Sequence, residues 1–120
     1  MLPRDGRHAE AVELEKRHDR GFLLTSSAVV GETWTFLRSR SGRAGAMAWL
    51  DRVRGAANTR LERIDDALEE QAWAWLRVHD ERPYSFVDAT SFALMRKLRI
   101  TDALAFDGDF AAAGFVELRS

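Results

Sequence analysis

The chain has 120 residues, 46% hydrophobic and 31% charged, with a net charge of -1. Those totals fit one small domain with one core and give no global charge that would coat a nucleic acid or a membrane surface. The absence of cysteine excludes disulfides and thiolate zinc sites and suits a reducing, cytoplasmic setting. No apolar run approaches a membrane span, and the opening MLPRDGRHAEAV lacks the apolar core of a signal peptide, so no membrane association is expected.

In chain order, residues 7–18, RHAEAVELEKRH, read as a charged helix with a narrow apolar side of Ala9 and Val12, stopped by Gly21. FLLT, 22–25, reads as a short buried strand, after which Ser26 or Ser27 caps a helix running to about Arg38. SRSGR, 39–43, reads as a turn, and the next helix carries Ala46, Met47, Trp49, Leu50 and Val53 on its apolar side. TRLERID, 59–65, is expected to be an edge strand. Asp65 or Asp66 then caps a helix over 66–79 with Leu68, Ala72, Trp75 and Leu76 as its stripe. Trp73 and Trp75 cannot face the same way on that helix, so one of them is a candidate partner contact. Pro83 breaks the chain before a strongly apolar helix over 86–100. A strand over 103–106, a short helix over 108–113 and a strand over 115–118 complete the chain. Strands separated by helices predict an α/β domain: a short, mostly parallel sheet flanked by helices.

Three acids stand out against this pattern. Glu32 lies on the stripe of Val29, Thr33, Phe36 and Leu37, where a carboxylate is either pushed to the edge of the core or held by a partner charge or metal. Asp88 heads the stripe continued by Phe92 and Met95, and it also suits a helix N-cap. Asp107, after the late strand, could cap the short helix 108–113, with Asp109 a solvated residue of its first turn. Singly, each acid has a structural explanation. Together, Glu32 and Asp107 follow strand C-termini and Asp88 starts a helix, and in open α/β sheets sites form outside the carboxyl ends of strands. Clustered carboxylates repel unless a cation lies between them. With no thiolates, Mg2+ or Mn2+ is the natural choice, and attack on a phosphodiester is a prominent chemistry of such sites.

His8, His18 and His79 show no zinc-ligand spacing and read as surface residues. Arg38, Arg40 and Arg43 flank the SRSGR turn, Arg52 and Arg54 follow, and Arg96, Lys97 and Arg99 close the helix begun near Asp88. Most belong to a solvated face, and a fraction near an acidic site could hold an RNA backbone.

In the order FLLTSSAVVGETWTFL, RPYSFVDATSFALMRKLRI and ALAFDGDFAAAGFVEL, the chain resembles the PIN domain, and specifically the VapC-type toxins of bacterial toxin–antitoxin pairs. The resemblance spans nearly the whole chain. It implies a magnesium-dependent endoribonuclease, a homodimer, and a cognate VapB-type antitoxin that threads a peptide into the active-site groove. Carried over by motif, Glu32, Asp88 and Asp107 are the catalytic, metal-holding acids. Ser91, one turn beyond Asp88, matches a hydroxyl that orders water, and Asp109 matches a less constant neighbour that falls mostly to the turn.

The chain departs from the family at one end. PIN domains begin with a short apolar strand that ends in the first catalytic aspartate, and a helix comes next. Here DGRHAEAV, starting at residue 5, matches the stretch beyond both of those elements. Residues 1–120 are therefore expected to form a PIN-like domain lacking its usual first strand. Three explanations stand: a start placed downstream of the true one, an inactive relative, or a partner segment that fills the gap. The alternative function is a catalytically inactive PIN-like protein acting as a peptide-binding, antitoxin-binding or dimerisation module.

Overall fold

A computed structural model describes residues 23–104 and 108–118. The expectations for the helix over 7–18, for the chain's beginning, and for Asp107 lie outside the described residues.

Strand β1 (Leu23–Ser26) runs directly into helix α1 (Ser27–Gly55). Ser26 is the N-cap, its hydroxyl accepting the Val29 N–H at 3.1 Å, which satisfies one of the unpaired donors of the first turn. The helix is interrupted at Gly42, where φ 78° and ψ 173° lie in a region open essentially only to glycine. Trp34 Nε1 donates to the Met47 sulfur at 3.3 Å across a separation of 13 residues, which a straight helix would hold about 20 Å apart. The two arms of α1 therefore fold back as a hairpin. They enclose a small core of Val30 and Trp49, with Leu23, Trp34, Leu37, Leu50 and Val53 against it. The turn expected over 39–43 is thus narrower than its composition indicates, confined to the one glycine.

Strand β2 (Thr59–Glu62) pairs in parallel with β1, from Leu23 opposite Thr59 to Ser26 opposite Glu62. The Ser27 hydroxyl accepts the Ile64 N–H at 3.1 Å and ties the end of β2 to the start of α1. Asp65 caps helix α2 (Asp66–Val78), its Oδ1 accepting the Leu68 N–H at 2.9 Å. Leu68 and Ala72, four residues apart, are fully buried on the side of α2 that packs against the next helix.

Helix α3 (Phe86–Leu98) is the centre of the molecule: every residue from Asp88 to Met95 is buried. Ala89, Phe92, Ala93, Leu94 and Met95 supply its apolar surface, and Asp88, Thr90 and Ser91 are buried with them. Phe92 is fully buried and meets Trp75, Tyr84 and Phe110 edge-on at 5.0, 5.7 and 4.9 Å between ring centres, an arrangement that aromatic quadrupoles favour. Leu24, Val29, Leu68, Leu94, Met95 and Ala103 complete this core. Trp75 turns inward, while Trp73 is 45% exposed and stacks on Phe86 at 4.3 Å, so the two tryptophans divide as helical spacing requires. His79, read from sequence as a surface residue, is half-buried, with its ring stacked on Trp75 at 4.1 Å.

Arg99, at φ 57°, ends α3 in a left-handed cap. Strand β3 (Asp102–Leu104), helix α4 (Asp109–Ala112) and strand β4 (Val116–Leu118) follow, and β3 and β4 pair in parallel. The described residues therefore contain two parallel strand pairs, β1 with β2 and β3 with β4, each joined through helix. That is the α/β architecture expected from the alternation. No described helix is long and apolar enough to cross a membrane.

Candidate active site

Asp88 is not the N-cap that its position invites. Ser85 is, and Asp88 stands three residues on as the reciprocal partner of a capping box. The Asp88 N–H donates to Ser85 Oγ at 3.0 Å, and the Ser85 N–H donates to Asp88 Oδ2 at 3.0 Å. The exchange satisfies two donors of the first turn and fixes the rotamer of the carboxylate. Asp88 is 1% exposed, held at the positive end of the α3 dipole, where negative charge is stabilised. Ser91, one turn later on the same side of α3, is equally buried.

Asp109 also departs from expectation. It is 8% exposed, and Arg82 Nε donates to its Oδ1 at 2.8 Å. Arg82 lies three residues ahead of the Ser85 cap, so the pair joins the approach to α3 with the start of α4. Between them sits Gly108, at φ 84°, where a Cβ would lie 3.3 Å from Arg82 Nη2. A side chain at 108 would therefore be strained by its backbone and pressed against the guanidinium. Asp109 does stand in the first turn of α4, as expected, but it is not solvated: it is buried, and the Arg82 guanidinium compensates its charge. Sequence reasoning singled out neither Arg82 nor Ser85. The Ser85-to-Asp88 spacing ahead of an apolar run is a capping-box signature that could have found the second. No local signal links Arg82 to a residue 27 positions away.

Glu32 projects from the first arm of α1 and is half-buried, beside the fully buried Val29 and Thr33. It sits at the edge of the core, and α1 packs against α3, which carries Asp88 and Ser91. The Thr25 and Thr33 hydroxyls are buried with no hydrogen-bond partner among the described residues. Among those residues no three carboxylate or imidazole side chains converge closely enough to hold a metal ion. Asp88 is held by a backbone N–H and Asp109 by Arg82; carboxylate oxygens in a chain without cysteine are the donor type that suits a hard, oxygen-seeking cation.

Burial raises the Tyr84 hydroxyl above the ordinary phenol range, helped by the carboxylate of Glu81, so it stays protonated at neutral pH. Desolvation lowers the Arg96 guanidinium, which lies 5.7 Å from the centre of the Trp75 ring and 5.4 Å from that of Phe115.

The PIN-domain family model matches residues 2–116. The chain belongs to the PIN-domain family. Within it the kinship is with VapC proteins. The PIN chain is 53% identical over 115 residues to the "23S rRNA-specific endonuclease VapC20" of Mycobacterium tuberculosis strain CDC 1551 / Oshkosh, covering 96% of this chain and 86% of the relative. The protein of the same name from strain ATCC 25618 / H37Rv gives the same values. Among solved structures, the PIN fold superposes on the crystal structure of Mycobacterium tuberculosis VapC20, described as a sarcin–ricin loop cleaving toxin. The TM-score is 0.86 with 52% identity, over 97% of this chain and 88% of that one. The PIN, VapC-type resemblance and the fold class it implied are thereby established, and the relatives are ribonuclease toxins.

Proposed function

We propose that this PIN protein is a metal-dependent endoribonuclease toxin that cuts 23S ribosomal RNA. One observation carries the chemistry. The Asp88 carboxylate is 1% exposed and is held by the Ser85 backbone at the head of the central helix. A buried carboxylate costs several kcal/mol unless charge or hydrogen bonds compensate it. Fixing one so firmly in a functional family is the preorganisation that electrostatic catalysis uses. The substrate is inferred from the relatives, which share about half of their residues with this chain over nearly all of its length.

Asp88, Asp107 and Glu32 are the residues that would hold Mg2+, or Mn2+ in its place. When bound, such an ion supplies Lewis-acid stabilisation of the charge that develops on the phosphodiester. The Ser91 hydroxyl, buried one turn from Asp88, would orient a water molecule. The Arg82–Asp109 pair fastens the start of α4 to the approach to α3. The protein's partners in this reading are the RNA, a VapB-type antitoxin and a second copy of the chain, in the cytoplasm.

The test is cleavage of purified 23S ribosomal RNA by the wild-type and Asp88→Asn proteins, with magnesium and with chelator. The wild type should cut only with magnesium, and Asp88→Asn should lose most of that activity with little change in melting. Undiminished cleavage by Asp88→Asn, or cleavage that persists in chelator, refutes the proposal. A DNA of matching sequence should remain intact.

A further inference from the structure

The charge of this chain is balanced overall but not along its length. Between Thr33 and Thr59 there are five arginines, Arg38, Arg40, Arg43, Arg52 and Arg54, against the single acid Asp51, in a chain whose net charge is -1. All five are exposed, and all five belong to the α1 hairpin. Such segregation is the electrostatic footprint of a polyanion site.

The first arm adds a direction. Glu32, Phe36 and Arg40 stand at i, i+4 and i+8, one row along the helix surface. The row is physically continuous at its outer end, where the Arg40 guanidinium lies 5.4 Å from the centre of the half-buried Phe36 ring. It begins at the acid assigned to the site and ends about 12 Å away along the helix, near the Gly42 turn. A guanidinium laid on an aromatic face is partly desolvated and has its plane set, and a planar donor fork of that kind recognises phosphate oxygens. The half-buried Phe36 ring beside it is the residue type on which a base can stack.

From this alignment we infer that Glu32, Phe36 and Arg40 form a ridge along which the RNA strand lies as it leaves the site, with Arg40 gripping a backbone phosphate and Phe36 carrying an adjacent base. The inference rests on the ribonuclease reading for the identity of the polymer. It adds a subsite that binds without metal and therefore can be measured apart from cleavage. The occupant is argued from the hairpin around the ridge, where five exposed arginines stand against Asp51 and complement a polyanion such as RNA; an acidic antitoxin peptide is the competing outcome of the test.

The experiment is a salt titration of binding to a fluorescent RNA hairpin of the sarcin–ricin loop sequence, in chelator, by the wild-type protein and by Arg40→Gln, Arg40→Lys, Phe36→Leu and Arg77→Gln. Arg77 is an exposed arginine on α2 and serves as the control. If Arg40 holds one phosphate, Arg40→Gln flattens the slope of log K against log salt by about 0.7 to 0.9 and weakens binding roughly five- to ten-fold at low salt. Arg40→Lys restores the slope while recovering only part of the affinity, Phe36→Leu weakens binding with the slope intact, and Arg77→Gln changes nothing. Equal affinity and slope for Arg40→Gln and wild type overturn the inference. So does an equal loss from Arg77→Gln, which would make the attraction diffuse, and so does an Arg40→Gln defect confined to binding an acidic antitoxin peptide. A merely structural Arg40–Phe36 contact would lower the melting temperature and leave the salt slope unmoved. Arg40-dependent binding without any magnesium-dependent cleavage would refute the nuclease proposal and leave the ridge standing. Cleavage with normal binding by Arg40→Gln would do the reverse.

Discussion

At the scale of single residues, two carboxylates behave differently from their sequence appearance, and both for reasons of partnership. Asp88 looks like an N-cap, yet Ser85 holds that position and uses Asp88 as its reciprocal acceptor. Replacing Ser85 with alanine should therefore cost about 1 kcal/mol of stability and leave cleavage nearly unchanged, because the alanine keeps the backbone N–H that holds Asp88 Oδ2 and removes only the hydroxyl that accepts the Asp88 N–H; urea unfolding and an RNA cleavage assay measure the two effects. Asp109 looks solvated, yet it is 8% exposed and bound to Arg82. Arg82→Ala leaves that carboxylate buried without its guanidinium. Since the arginine is itself 39% exposed, the expected loss is about 1–2 kcal/mol, below the value for a fully buried pair. Arg82→Ala combined with Asp109→Ala should recover part of the loss, and a double-mutant cycle by chemical unfolding would show it. The residue types of this site were legible in the sequence because carboxylates on apolar stripes are conspicuous. Their hydrogen-bond partners were not, because Arg82 reaches Asp109 through the tertiary fold and not through any local spacing.

At the scale of elements, caps and stripes marked most of the described boundaries to within a few residues. Ser26 and Asp65 cap their helices as their side-chain chemistry favours, and the apolar half of the buried α3 run, Phe92 to Met95, marks that helix as part of the core. The length of the α1 arms was harder to see. SRSGR reads as five turn residues, but serine and arginine tolerate a helix, and only Gly42 requires another conformation. Gly42→Ala should accordingly cost about 1–3 kcal/mol, the strain of a non-glycine residue in that region, without touching any packed neighbour. Thermal unfolding would register it, and an unchanged melting temperature would mean that the hairpin does not need this turn. In α3, Phe92→Ala should cost about 3–5 kcal/mol because four rings and two helices close on it.

At the scale of the whole molecule, two parallel strand pairs and a buried central helix form a frame in which α3 presents Asp88 and Ser91, and α1, packed against it, presents Glu32. The alternation of strand and helix made that α/β class readable, and the order of three motifs made the PIN family readable. Whether Glu32, Asp88 and Asp107 converge was not, because convergence depends on the packing of elements far apart in sequence, and Asp107 lies outside the described residues. The overall charge of -1 was equally uninformative about nucleic acid, since a balanced total hides the five exposed arginines gathered on one hairpin. The most direct test of the central claim is the magnesium-dependent cleavage of 23S ribosomal RNA by the wild-type chain and by Asp88→Asn, with melting curves for both. The expected result is cutting by the wild type that chelator abolishes, and loss of most of it in a variant that still unfolds cooperatively near the wild-type temperature. A folded wild-type chain that cuts no RNA with magnesium, or a variant that cuts as well as its parent, would contradict it and leave a PIN-domain binding protein in its place.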